Sequence, residues 1–157
     1  FPNLMYGDYD ILKRDTSEVM YRGTVEFSPE RINYGQVLPH PCLFTSRSYF
    51  EKYGAFDTRF KIAMDYEWLL RGILKERVVH LPILITNIRD GGISTLDHKK
   101  VVGEIIAALR KNAYLSSKWS ELKLRGYFFS RSFLRRVLMT VGLYGLLFHM
   151  RNRRKYG

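Results

Sequence analysis

The sequence predicts an α/β domain followed by a helical, amphipathic and basic tail, and three observations carry that expectation. Strand-type and helix-type apolar patterns alternate over residues 1–116. Ser46 and Asp97 stand directly before runs of helical spacing, where helix starts are expected. From Lys118 onward, aromatic or aliphatic clusters alternate with basic ones, which sets a boundary near Ser116-Ser117 and a tail over 117–157. A chain of 157 residues, 46% hydrophobic and 15% aromatic, can bury a sizeable core in a single domain, so disorder is not the default. No internal repeat or low-complexity tract interrupts it.

The elements follow in order. Asn3 to Leu12 and Glu18 to Arg22 form a hairpin around Lys13-Arg14-Asp15-Thr16, with Tyr, Ile, Val and Met supplying strand preference. Gln36 to Thr45 is expected to be extended. Pro39 and Pro41 confine His40 to an extended or turning backbone and suit an edge strand. Ser46 caps a short helix through Tyr53, with Gly54 where a left-handed residue is easiest. From Ile62 the positions Ile62, Tyr66, Leu69, Leu70, Ile73 and Leu74 make one buried helical stripe. Val78 to Arg89 is a long apolar strand, lightly broken by Pro82, that runs into Asp90-Gly91-Gly92-Ile93-Ser94-Thr95. Asp97 then starts an amphipathic helix whose Val101, Val102, Ile105, Ile106 and Leu109 face inward.

The chemistry concentrates between His40 and Arg71. Tyr53-Gly54-Ala55-Phe56-Asp57 is a tight aromatic and glycine corner that turns one helix back toward the next. The following helix begins with Asp65-Tyr66-Glu67, and Asp65 borders its apolar stripe. A carboxylate in a first turn meets the positive end of the helix dipole, a placement that serves either a general base or plain capping. Glu67 and Arg71 are four apart on another face, a pairing worth only a few tenths of a kcal/mol (~0.3) if it is exposed.

The order of a histidine-containing extended segment, a short helix, Gly54-Ala55-Phe56-Asp57 and an Asp65-led helix ending in Arg71 resembles the family 2 glycosyltransferases of the GT-A fold. The resemblance covers roughly residues 1–96. It implies the C-terminal, acceptor-side half of a GT-A domain with a mixed sheet. It also implies an inverting transfer from a nucleotide-sugar donor to a hydroxyl of a glycan or glycolipid acceptor, in cell-surface polysaccharide assembly. In that family Asp65 would be the general base. His40 would contact an acceptor hydroxyl or a phosphate, or else be a strand histidine satisfied by a neighbouring carbonyl. Glu67 would hold Arg71 or the acceptor, and Arg71 would complete the substrate side. Gly91, Gly92 and Ser94 match the family's G-G-x-S segment, where backbone amides can approach a ligand, although paired glycines are also ordinary turn formers.

The complete family enzyme is expected to use a divalent metal, Mn or Mg. Asp8-Tyr9-Asp10 has the literal form of a D-x-D metal motif, but it sits in a strand-like run, and in the family the metal motif lies on an earlier strand. Asp8 and Asp10 are therefore expected to be strand residues. His98 is expected on a helix surface and not on a metal. On this reading the nucleotide half precedes Phe1, the chain is a piece of something longer, and by itself it is inactive and binds no metal. His80 and His149 are given no role.

Single Cys42 excludes an intrachain disulfide, and no Asn-X-Ser/Thr sequon is present, so a reducing, cytoplasmic setting is the simpler expectation. The tail from Lys118 holds ten Lys and Arg against Glu121 alone, which accounts for nine of the chain's eleven net positive charges. Its apolar run, Val137 to Phe148, is shorter than the ~20 residues of a spanning helix. It is expected to lie at an anionic membrane surface, on the inner face of the cell membrane. A non-catalytic binding or assembly module, with a membrane- or nucleic-acid-binding tail, is the alternative. A sheet edge left open by the missing half would also invite a homo-oligomer.

Overall fold

The computed structural model describes residues 1–35, 38–90 and 97–143. It divides into two compact units, Phe1–Ser116 and Ser117–Gly157. The first is mixed α/β and is organised around one strand, β1 (Leu4–Leu12). β2 (Val19–Gly23) and β3 (Leu43–Thr45) pair antiparallel with the two ends of β1, with Asp10 opposite Arg22 and Met5 opposite Phe44. β4 (Val78–Arg89) runs parallel to β1 over its whole length, from Leu4 opposite Val78 to Leu12 opposite Arg89. A strand has two hydrogen-bonding edges, so β2 and β3 share one edge of β1 and β4 holds the other.

The β1–β4 register slips between Tyr6–His80 and Asp8–Leu84, where Gly7 alone stands against Leu81, Pro82 and Ile83, and again between Asp8–Leu84 and Tyr9–Thr86. Pro82 lies in this irregular stretch, as expected of a residue that cannot donate to a ladder. The bulge brings β4 close against Gly7: a Cβ there would meet Ile85 Cγ1 at 2.3 Å and the Ile83 carbonyl oxygen at 2.8 Å. Only glycine fits without moving backbone.

Between β2 and β3 the chain forms two 3₁₀ turns, Pro29–Tyr34 and His40–Cys42. The second corrects the expectation of an extended Gln36–Thr45 segment, and of the two backbones open to His40 it is the turning one. Pro41 fixes φ in a range a helical turn accepts, and the Cys42 N–H closes the turn on the Pro39 carbonyl at 3.1 Å. Only Leu43–Thr45 is strand; Gln36 and Val37 lie outside the described residues.

α1 (Arg47–Tyr53) starts as its sequence signals: the Ser46 side chain accepts the Tyr49 N–H, and Gly54 ends the helix at φ 77°. α2 (Met64–Leu70) is shorter than its apolar stripe suggests. Tyr66, Leu69, Leu70 and Ile73 are buried as expected, but Leu74 falls in the turn after the helix and is exposed. α3 (His98–Lys111) is capped by Asp97, which accepts the Lys100 N–H, and it buries Ile105, Ile106, Ala108 and Leu109 against a core that α2 shares. Val101 and Val102 are only half-buried.

The second unit, described by itself, contains α4 (Lys118–Thr140), a continuous helix of 23 residues. Among the described residues no helix is long and apolar enough to cross a membrane. The expected interface run from Val137 to Phe148 is described only as far as Leu143.

Candidate functional site

The corner after α1 is locked by aromatic packing and by two side chains of α2 and the turn behind it. Trp68, fully buried, lies 4.7 Å from the Tyr49 ring, 4.4 Å from Phe50 and 4.8 Å from Phe56, centroid to centroid. Its Nε1–H donates to the Gly54 carbonyl at 2.7 Å. Arg71 sends Nη1 to the carbonyls of Tyr53 (2.9 Å) and Ala55 (2.8 Å). These bonds satisfy the carbonyls of Tyr53, Gly54 and Ala55, where the chain leaves α1 through the positive φ of Gly54.

Arg71 also grips Glu67, Nε to Oε1 at 3.1 Å and Nη2 to Oε2 at 2.5 Å. Glu67 is completely buried, so the weak surface pair expected from the spacing is instead a desolvated ion pair. Two residues at the end of α3 complete its shell: Lys111 Nζ at 2.8 Å and Asn112 Nδ2 at 3.2 Å, both on Oε1. Burial pushes the Glu67 carboxyl up, and the Arg71, Lys111 and Asn112 donors together outweigh it, holding the group below the usual carboxylate range. Lys111 reaches on to Asp57 at 2.8 Å, and Asp57 is clamped by Arg59 at 2.7–3.2 Å. Arg59 first and Lys111 second drive the Asp57 carboxyl far below its ordinary value. Asp57, Lys111, Glu67 and Arg71 thus form one continuous chain of alternating charge. Of the two roles open to Glu67, holding Arg71 is the one its contacts show, and the polar bonds of Arg71 named above are all internal.

Asp65 lies two residues earlier in the first turn of α2 and is half-buried. Its Oδ1 accepts the Tyr66 N–H at 2.7 Å. The approach to this helix has no capping side chain of its own, because Ala63 occupies the cap position. Glu104, from α3, supplies the missing acceptor: its Oε2 takes the backbone N–H groups of Lys61 (2.9 Å), Ile62 (2.7 Å) and Ala63 (2.9 Å). Three converging amides make a small anion nest. Partial burial raises the Glu104 carboxyl, and the amides overcome that and hold it below the ordinary range. Glu104 therefore fixes the turn that delivers Asp65.

The remaining sequence candidates are dispersed. The His40 ring is half-buried beside Phe56, 6.1 Å between centroids. Gly91, Gly92 and Ser94 lie outside the described residues. His98 opens α3 and is exposed. Asp10 is buried and bidentate to Arg22, at 2.9 and 3.2 Å, and this pair lowers its carboxyl. Asp8 Oδ1 meets His80 Nε2 at 2.9 Å, and His80 in turn lies 5.0 Å from the Tyr6 ring. Each aspartate is thus committed to its own strand neighbour, and among the described residues no group of three or more His, Cys, Asp or Glu side chains is arranged to hold a metal ion. Asp8 and Asp10 do not fit a divalent metal without displacing Arg22 and His80.

Sequence reasoning passed over Glu104, Lys111, Asn112 and His80. Glu104 and Lys111 sit on the polar side of α3 and Asn112 directly follows it, where only the apolar spacing carried a signal. A sequence can show that Glu104 leaves the helix's buried stripe, but not that its carboxylate ends on amides some forty residues away. No protein-family model matches the chain, and a search of curated proteins finds no match either.

Proposed function

We propose that the chain is the acceptor-side part of an inverting glycosyltransferase of the GT-A type, with Asp65 as general base. The observation that carries this reading is the division of labour on α2. Glu67 and Arg71 turn inward and lock the Gly54–Asp57 corner, while Asp65, from the same helix, keeps a half-buried carboxylate on a turn pinned by Glu104. A base needs this combination of a rigid mount and access to a proton.

In the proposed reaction a hydroxyl of a glycan or lipid-linked acceptor is held near Asp65, which takes the hydroxyl proton as the oxygen attacks the anomeric carbon. The new C–O bond forms as the bond to the departing nucleoside diphosphate breaks on the opposite side, so the configuration inverts. In this proposal Asp8 and Asp10, engaged by His80 and Arg22, take no part in holding the donor or the Mn or Mg that such an enzyme employs.

The test is Asp65→Asn in the full-length protein, with nucleoside diphosphate release followed across a panel of nucleotide sugars. Turnover should fall by about two to four orders of magnitude with the melting temperature nearly unchanged. Near-normal turnover in the variant would remove Asp65 from the mechanism. The inward commitment of Glu67 and Arg71 also suits a second reading, a non-catalytic binding or assembly module on the same frame. Release of nucleoside diphosphate by the unsubstituted protein from no donor in the panel would favour that module.

A further inference from the structure

α4 carries an uncovered apolar stripe. Trp119, Leu122, Phe129, Phe133 and Val137 recur at steps of three, four and seven residues, which places them along one face over about 27 Å of helix. All five are exposed, Phe129 to 74% and Trp119 to 63%. Gly126 fills the remaining position on that face, with open space around it. No charged residue interrupts the crest. The cations border it: Lys118, Arg125 and Arg136 project along one side, and Lys123 along the other, its Nζ 5.7 Å from the centre of the Trp119 ring. The helix has six basic residues against one acid, Glu121, which pairs with Arg125 at 2.9 Å.

We propose that α4 lies in the plane of an anionic lipid surface, with this five-residue stripe among the acyl chains and the bordering lysines and arginines at the phosphates. Charge complementarity selects this occupant. A second copy of the helix would set a strongly cationic face against its like. Nucleic acid would call for cations on the crest, where phosphates pass, whereas here the crest is apolar and the cations flank it. The stripe lies mostly upstream of Val137–Phe148, the run that sequence patterning alone nominates. The inference is independent of the proposed sugar transfer.

The full chain tests it by co-sedimentation with vesicles of phosphatidylglycerol and phosphatidylcholine in equal parts, alongside vesicles of phosphatidylcholine alone. Binding is expected to the first and to be much weaker to the second. Phe129→Ser with Phe133→Ser should lower the partition coefficient at least about tenfold. Lys118→Ser with Lys123→Ser should lower it by roughly fivefold per charge and flatten its salt dependence. Helicity by circular dichroism checks the variants. The emission of Trp119 in the unsubstituted chain provides a reading free of mutation, since it should shift to the blue on adding anionic vesicles while buried Trp68 contributes a constant background. Unaltered binding by the serine pair, equal binding to both vesicle types, or an unshifted Trp119 would each overturn the proposal. So would a chain that ignores anionic vesicles but shifts RNA, or that forms a dimer abolished by Phe129→Ser.

Discussion

The α2–α3 region and the α4 helix use the same ingredients, aromatic rings and ionic side chains, in opposite ways. Around α2, Trp68 and Tyr49 are enclosed, and Asp57, Lys111, Glu67 and Arg71 are paired in series. Along α4, Trp119, Phe129 and Phe133 are open and basic residues far outnumber the single acid. Enclosure turns charge into architecture, because a desolvated ion is tolerable only with its partners in place. Exposure leaves charge and apolar area available for something outside the chain. The first region has the economy of a scaffold and the second that of a contact surface.

The largest effect expected from breaking this contrast comes from Glu67→Gln. It would leave Arg71 and Lys111 facing a neutral amide, and the chain should lose about 3 kcal/mol of stability, read as a lower midpoint in urea with an unchanged slope. A loss under about 0.5 kcal/mol would mean that the network is not what holds the corner. Glu104→Gln keeps the shape but weakens three charge-assisted bonds, and about 1–2 kcal/mol is expected from the same measurement. If Glu104 also positions the base, the full-length variant should lose kcat more than it gains KM. A change confined to KM would restrict Glu104 to packing.

Acid sharpens the comparison. Glu76 accepts from Lys52 at 2.7 Å, Asn3 at 2.6 Å and Tyr53 at 2.7 Å, with the Lys52 bond dominant, and its carboxyl falls from an ordinary 4.5 to about 2. Asp57, Glu67 and Glu104 are depressed as well. A depressed carboxylate lends stability above its unfolded value and loses it as pH falls toward its folded one. The first unit should therefore hold its stability at neutral pH and shed it between about 4.5 and about 2. Urea midpoints measured across that window should fall steadily, and Glu76→Gln should make the fall shallower. Midpoints independent of pH there would contradict the assigned pairings. The smallest effect belongs to α4, where Phe133→Ser should change folding stability by no more than about 0.5 kcal/mol, since its ring is already exposed. A destabilisation of about 2 kcal/mol would mean that the ring is covered in solution.

Much of the frame could be read from local signals. The hairpin, the helix caps at Ser46 and Asp97, the left-handed stop at Gly54 and the span of β4 all depend on residues within a few positions of one another, and local chemistry decides them. Around His40 two prolines permit both a strand and a turn; the Cys42 N–H closes a turn on the Pro39 carbonyl, and the Cys42 thiol donates to the carbonyl of distant Gly7 at 2.9 Å. Leu74 escaped because apolar spacing continues past the point where the helix stops. At the site, the sequence placed Asp65 in a first turn and paired Glu67 with Arg71.

What the amino-acid order determined by itself was the alternation of strand and helix, the corner at Gly54–Asp57, the uneven division of charge and the alternation of apolar and basic clusters in the tail. Only the tertiary structure decided that β1 is the central strand, that Asp8 and Asp10 are spent on His80 and Arg22, and that Glu67 is buried between Arg71 and Lys111. It likewise decided that Glu104 reaches the turn before Asp65. The reason is the range of the interactions. Caps, turns and periodicities close within a few residues, whereas the partner of a buried charge is chosen by which elements the fold brings together, and the forty-three residues between Glu67 and Lys111 carry no local trace of that choice.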